Sequence, residues 1–440
     1  MKKQLCTFTK IVCFIFIFLC LYRFVDIVFV PKRTDGITTM QGIYAQPKNS
    51  VDVLFLGSSL SGMDIDEEVL WKEYGIAGYN LWGSVQPLWN SYYFLKEALK
   101  YQKPKLVVLE IYAASFLFSR SDNSRRIVNT RGMRFSWNQI EAVLESTSRR
   151  KVPFLLAGLP HYHNRYTELS VNDYMHFTWS KDKAVDKGSS VRYTDFIRDL
   201  PDITSVMEIS EMHPKAEKYL RKIIELCEKH AIPIVLLKNP SASRETEQPY
   251  YNYAKNIADE YGISFLNTNL YDSEINLKAN DFFDNAHLNT RGSRKITQFI
   301  AAYIKEHYTI PDRRGDVRYS SWEENAQRME DAYIKLITNK GDYVYELKRN
   351  ERVVYILSTG SSIFDKNEYT TSNANDIISY TKTDKIYIYC KEHLVAEIAE
   401  SLTENGCISI VYNPYNDTCT DIAVIQDSDN ITHIRPKPYH

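Results

Sequence analysis

Four short apolar runs that alternate with amphipathic helices set the strongest limit on how this chain can fold. They are "VDVLFL" (51–56), "KLVVLEI" (105–111), "IPIVLLK" (232–238) and "ISFLN" (263–267), and they show little of the period-two alternation of a half-wet strand. A strand that is apolar on both sides must be covered on both faces, which is the pattern of a parallel sheet between two helical layers. The intervening segments supply the helices. "DEEVLWKEYG" carries Asp66 as N-cap with Glu67 and Glu68 in its first turn. "AEKYLRKIIELCEKH" places Tyr219, Leu220, Ile223, Ile224 and Cys227 on one face. "LWNSYYFLKEALKY", "PYYNYAKNIADEYG" and a last stretch over about 291–307 complete the set. The expected fold is therefore α/β, a three-layer α/β/α domain with a central, mainly parallel sheet. In such open sheets the ligand crevice lies beyond the carboxyl ends of the strands.

The flanks of this domain read differently. Ile11 to Val30 is apolar apart from Arg23 and Asp26, and is long enough to cross a bilayer as a helix. Arg23 and Asp26, three apart, share one helix face and are placed to pair. No small-residue cleavage pattern flanks the stretch, so residues 1–33 read as an uncleaved anchor, a signal peptide with an unusual exit being the alternative. Basic residues stand on both sides (Lys2, Lys3 and Lys10 against Arg23, Lys32 and Arg33), so charge does not orient it. Residues 34–50 lack periodicity and read as a linker; 51–338 form the main domain, in which the polar, aromatic stretch 115–214 reads as an insertion over one end of the sheet. Residues 339–440 read as a small α/β unit, with strands "RVVYILST", "IYIYC", "CISIVY" and "DIAVIQ" and a helix "KEHLVAEIAESLTENG". A formal net charge of −1 gives no electrostatic basis for a nucleic-acid partner. The seven cysteines include no C-x-x-C pair, which leaves one disulfide among Cys390, Cys407 and Cys419 open. There is no Walker A loop, G-x-G-x-x-G or H-E-x-x-H, and no cofactor or metal is implied.

The chemistry concentrates in two places. The first strand empties directly into Gly57-Ser58-Ser59. Far downstream, "DFFDNAHLNTRG" sets Asp284 and His287 three apart, just before the last helix. A serine nucleophile needs a base within hydrogen-bond reach, a group that orients the base, and donors for the oxyanion. Taken singly, Gly-Ser-Ser is a turn and Asp-x-x-His a helix cap or surface pair. Together, in an alternating α/β chain, they place a nucleophile and an Asp–His pair at the same strand ends. Ser59 is the candidate nucleophile; Ser58 is its competitor, with a turn-shaping role as its alternative.

"FLGSSLS" followed by "DNAHLNTRG" resembles the SGNH (GDSL-type) hydrolase superfamily over about residues 51–330. The "GSS" variant with an N-terminal anchor is similar to its membrane-anchored branch of teichoic-acid D-alanyl-transfer proteins and surface-polysaccharide O-acyltransferases. The resemblance implies Ser59 as nucleophile, His287 as base and Asp284 as its orienter. It also implies that Gly83, in "YNLWGSV", lends a backbone N–H to the oxyanion hole beside that of Ser59. Classical members carry a further asparagine donor in a G-x-N-D block, from which the anchored branch also departs. The matching stretch here is "VVLEIYAA", with Glu110, and an ionised carboxylate cannot donate. Asn80 is the candidate replacement.

Other residues stand out by position. His163 and Arg165 in "LPHYHNRYTEL" resemble an His-x-Arg-aromatic stretch of anchored relatives and are candidates for substrate contact, with a solvated loop as the alternative. The His161-x-His163 spacing is also compatible with a metal on a strand. Lys238 ends a buried strand and is either in the crevice or a solvated cap. Asp64 and Asp66 form a D-x-D, which helix capping explains better than a metal–nucleotide site. These readings converge on a single-pass membrane protein with an extracytoplasmic domain. It would be a serine esterase or acyltransferase acting on ester groups, O-acetyl or other, of a cell-surface polysaccharide or teichoic acid. The competing class is an inactive scaffold that binds such a polymer or a membrane-bound acyltransferase partner.

Overall fold

The structure, a computed structural model, describes residues 2–30, 35–115, 123–175, 186–190, 192, 196–198, 200–240, 244–279, 281–338 and, beyond these, the strands of a C-terminal unit. Five strands form one parallel sheet: β1 (Val53–Gly57), β2 (Gly78–Trp82), β3 (Leu106–Glu110), β4 (Ile234–Lys238) and β5 (Ser264–Asn267), in the order β2-β1-β3-β4-β5. Val53, Phe55, Leu106, Val108, Val235 and Leu237 pack on one face, and the alternate residues Leu54, Leu56, Val107, Leu109 and Leu236 are equally buried on the other. This two-sided burial is what the unbroken apolar runs require.

The helices in chain order are α1 (Lys2–Phe29), α2 (Gly36–Ala45), α3 (Ser59–Asp64), α4 (Glu67–Tyr74) and α5 (Leu88–Ala98). Next come α6 (Asn123–Arg131), α7 (Trp137–Ser146), α8 (Val152–Leu156), α9 (Leu159–Tyr162) and α10 (Val171–Met175). The set ends with α11 (Pro214–Lys229), α12 (Gln248–Tyr261), α13 (Asp272–Ile275), α14 (Thr290–His307) and α15 (Ser320–Thr338). Local chemistry sets several of their ends. Asp66 caps α4 by accepting from the Glu68 N–H at 3.0 Å, and Gly75, at φ +65°, closes that helix in the left-handed region. Asn289 caps α14 by accepting from the N–H groups of Arg291 and Gly292. The apolar stripe of α14, Ile296, Ile300 and Ile304, joins Leu70 of α4 against one face of the sheet. On the other side α5 lies against β1 and packs on α11, where Tyr93 and Tyr219 meet.

Two expectations are corrected. Residues 34–50 are not a linker: 36–45 form α2, whose Ile37, Met40 and Ile43 are fully buried. Thr39 there donates to the Trp82 carbonyl and its own carbonyl accepts from the Tyr79 hydroxyl. The i, i+3 spacing of those three apolar residues carries the helix, hidden by the glycines and threonines around them.

The chain divides into one compact unit over 1–325 and a second over 326–440. Among the described residues beyond α15 the second unit is antiparallel β rather than the expected α/β. Beyond α15 it contains β6 (Tyr345–Lys348), β7 (Val353–Ser358), β8 (Ile377–Lys382), β9 (Lys385–Cys390) and β10 (His393–Ala399). β11 (Cys407–Asn413), β12 (Thr418–Asp427) and β13 (Asn430–Ile434) complete it. They form the sheets β13-β12-β11-β7-β6 and β10-β9-β8. The expected helix over "KEHLVAEIAESLTENG" is strand β10 where it is described, paired with β9 through Ala396 opposite Ile388 and Ile398 opposite Ile386. A run this short satisfies both periods, and the neighbouring strand decides.

Candidate active site

Ser59 is the first residue of α3, two residues beyond the end of β1, with Ser58 between them as the helix N-cap. Its Oγ lies 2.8 Å from His287 Nε2. His287 Nδ1 in turn lies 3.0 Å from each oxygen of Asp284. Asp284 Oδ1 also accepts from the backbone N–H groups of Ala286 (2.7 Å) and His287 (2.9 Å). Burial pushes the Asp284 carboxyl up, but these N–H bonds and the imidazole outweigh it and hold the carboxyl below the ordinary range. An ionised carboxylate only accepts, so it selects the tautomer with the proton on Nδ1. Nε2 then presents its lone pair to the Ser59 hydroxyl, as a general base must.

Ser58 takes the turn-shaping place. Its N–H and hydroxyl both donate to Glu110 Oε2, at 3.0 and 2.7 Å, while its Oγ accepts from the Leu60 N–H as N-cap of α3. The Tyr112 N–H donates to the other Glu110 oxygen. Burial pushes the Glu110 carboxyl up, and these donors together with Lys238 oppose the shift. Glu110 thus pins the turn that leads into Ser59. Gly57 permits it: a Cβ there would stand 2.7 Å from the Glu110 Cβ.

A second clasp holds the histidine loop. Asp64, at the far end of α3 and fully buried, accepts from the Leu288 N–H (3.0 Å), one residue past His287. Its other oxygen accepts from Asn239 Nδ2, which also donates to the Leu60 carbonyl. One short helix therefore carries the serine at one end and ties down the imidazole at the other. Asp64→Asn must set an amide NH₂ against one of these two donors, at about 1–3 kcal/mol. We expect a drop of at least about tenfold in serine reactivity, with the folded state retained, measured as the labelling rate of the purified chain.

Lys238 is neither a solvated cap nor an arm in an open crevice. It is fully buried, donates to the Asn239 carbonyl, and stands over the Tyr251 ring at 5.1 Å. Burial brings its amine down to about 8, with Glu110, Asp64 and Glu247 acting the other way. The oxyanion candidates are also engaged elsewhere. The Gly83 N–H donates to the Gly57 carbonyl at 3.3 Å. Asn80 accepts from the Ser61 hydroxyl and donates toward Ile65 O and Glu67, away from Ser59. The Ser59 N–H, in the first turn of α3, is one of those for which a helix offers no internal acceptor.

His163 and Arg165 stand apart from this group. His163 is exposed, its Nδ1 3.1 Å from the Pro160 carbonyl. Arg165 donates to the Phe29 carbonyl (2.6 Å) at the end of α1 and to Asp173 (3.1 Å). Among the described residues no group of three or more His, Cys, Asp or Glu side chains is arranged for a metal. Asp64, Asn239 and Glu110 were not expected in these roles. The signal for all three was positional: Glu110 ends β3, Asn239 follows the last residue of β4, and Asp64 ends the short helix that follows β1, at the side of the sheet where open folds gather their sites.

No protein-family profile matches the chain, and no curated protein matches it. Among solved structures it is similar to a protein described as lipolytic, of the G-D-S-L family, from Desulfitobacterium hafniense: 10% identity over 58% of this chain and 99% of the other, TM-score 0.29. It is also similar to an acylhydrolase from Bacteroides fragilis (13% identity, 59% and 90% covered, TM-score 0.28). A variant of the esterase AlinE4 gives 14% identity, 59% and 98% covered, TM-score 0.24. Likeness at this level carries no argument about chemistry, which is drawn from the geometry above.

Proposed function

We propose that the chain is a membrane-anchored serine acyl-transfer enzyme of SGNH type. It would act on ester groups of a cell-surface polysaccharide or teichoic acid. Ser59 Oγ attacks the ester carbonyl carbon while its proton passes to His287 Nε2. The C–O bond to the alcohol then breaks, and the imidazolium returns the proton to the leaving oxygen. Water completes a hydrolysis and a sugar hydroxyl a transfer, through the same three residues. The observation that carries this reading is the continuous chain Ser59–His287–Asp284 at 2.8 and 3.0 Å.

The membrane part of the reading rests on α1. Thr7–Phe29 is apolar enough to span a bilayer, and its last turn is built into the domain. Asp26, fully buried, pairs with Arg131 and Arg23 and accepts from the Leu159 N–H. Removing α1 as a signal sequence would take that carboxylate from a buried arginine, which favours retention.

The test is covalent labelling of the detergent-solubilised full chain by a fluorophosphonate, with p-nitrophenyl acetate turnover beside it. We expect labelling of the wild type and of Ser58→Ala, and none of Ser59→Ala. The engagement of the Gly83 and Asn80 donors favours the second reading, a scaffold that binds polymer or an acyltransferase partner. A folded wild type that never labels decides for the scaffold.

A further inference from the structure

The exposure of α1 changes abruptly along its length. Phe14, Phe16 and Leu21 are 71%, 66% and 60% exposed, and Phe24 still 44%, whereas Asp26, Val28 and Val30 are buried. The free part, Thr7 to Phe24, rises about 27 Å at 1.5 Å per residue, close to the roughly 30 Å of a hydrocarbon core. The bilayer boundary therefore falls near Arg23, and whatever packs on the next turn lies within a few ångströms of it. What packs there is α9 with the turns around it. Leu159 N–H donates to Asp26 at 2.7 Å, Arg165 donates to the Phe29 carbonyl, and Gly158 closes on Val30.

The same stretch turns large apolar side chains to the outside. Phe154 on α8, Tyr166 after α9, and Val171 and Tyr174 on α10 are 59%, 70%, 74% and 51% exposed. Immediately before α8 stand Arg149, Arg150 and Lys151, all exposed. Aromatic and aliphatic side chains mixed with a basic run are what the headgroup layer of a membrane accommodates.

We propose that α8–α10 form a platform that sits in the headgroup layer of the membrane α1 enters, with the basic run on anionic lipid. This rests on α1 being a retained anchor. The platform fixes the domain by two contacts, one through the bilayer and one along its surface.

The test is photocrosslinking of the full chain in vesicles of phosphatidylcholine and phosphatidylglycerol, with benzoylphenylalanine placed singly at Phe154, Tyr166 or Tyr174. Phe16 serves as the reporter of the anchor. Met207 and Val317, 82% and 85% exposed but on elements that do not hold α1, serve as controls. We expect lipid adducts at Phe16 and at the three platform positions, with background only at Met207 and Val317. Replacing Arg149, Arg150 and Lys151 together by glutamate is expected to lower the platform adducts by about tenfold or more while leaving those at Phe16 intact. Adducts at Phe16 alone would overturn the platform and leave the anchor standing. Adducts of equal strength at Met207 and Val317 would overturn it as unspecific contact. No adduct at Phe16 would remove the anchor reading and the platform with it.

Discussion

With His287 replaced by alanine, labelling of Ser59 by a fluorophosphonate is expected to slow by about a thousandfold or more, while the protein stays folded. The serine hydroxyl is a poor nucleophile without a base, and the base within reach is Nε2 at 2.8 Å. Asp284→Asn is a sharper probe. It keeps the shape of the loop but removes the acceptor that puts the proton on Nδ1, and the expected loss is about 10³–10⁴-fold. The same variant carries a signature in acid. The folded-state carboxyl of Asp284 lies below its ordinary value of 3.8. Its contribution to stability is therefore complete above that value and is lost as pH falls through the lower folded value. The stability gap between wild type and Asp284→Asn should thus narrow only below about pH 4, read from denaturant midpoints across pH. A gap that closes near neutrality would mean that the carboxyl is not held as the geometry indicates.

The second large effect is expected far from the serine. Asp26→Ala leaves Arg131 buried without its carboxylate and the Leu159 N–H without its acceptor. Breaking a buried pair from one side costs about 3–5 kcal/mol. Arg23→Ala, which removes a half-exposed partner of the same carboxylate, should cost less than about 1 kcal/mol. Thermal unfolding of the full chain in detergent distinguishes the two, with a midpoint roughly 10 °C lower for Asp26→Ala and hardly moved for Arg23→Ala. Equal, small effects would show that the base of α1 merely rests on the domain.

Much of the main domain was legible because its signals are local. Unbroken apolar runs announced the buried parallel strands, and Asp66 stood where a helix start needs it. Ser59 and the Asp284–His287 pair were found by order along the chain: strand exit first, last helix last. What could not be read was the set of contacts between distant segments. Glu110 reads in the sequence as the place of a missing donor, because sequence shows which group it lacks and not the Ser58 N–H and hydroxyl that need an acceptor. Arg165 reads in the sequence as a candidate for substrate contact or a solvated loop residue, because nothing in its neighbourhood names the Phe29 carbonyl, 136 residues away, as its partner. Gly83 and Asn80 are polar backbone and amide near the right strand, and only the fold decides which way they face. In the C-terminal unit "HLVAEIA" fits two periods, and its pairing with β9 settles what the run alone leaves open.

The buried α2 and the docked last turn of α1 bear on how such an enzyme would meet its substrate. A domain on a flexible leash sweeps a hemisphere and can reach along an extended polymer. Here the first described segments after the apolar helix fold back into the body, so under the anchor reading the serine stands at one set height above the lipid, on a mast. It would then work as a fixed station. Chains growing outward from the membrane would be modified as they pass that level, and the spacing of the marks would follow the polymer's own rate of passage.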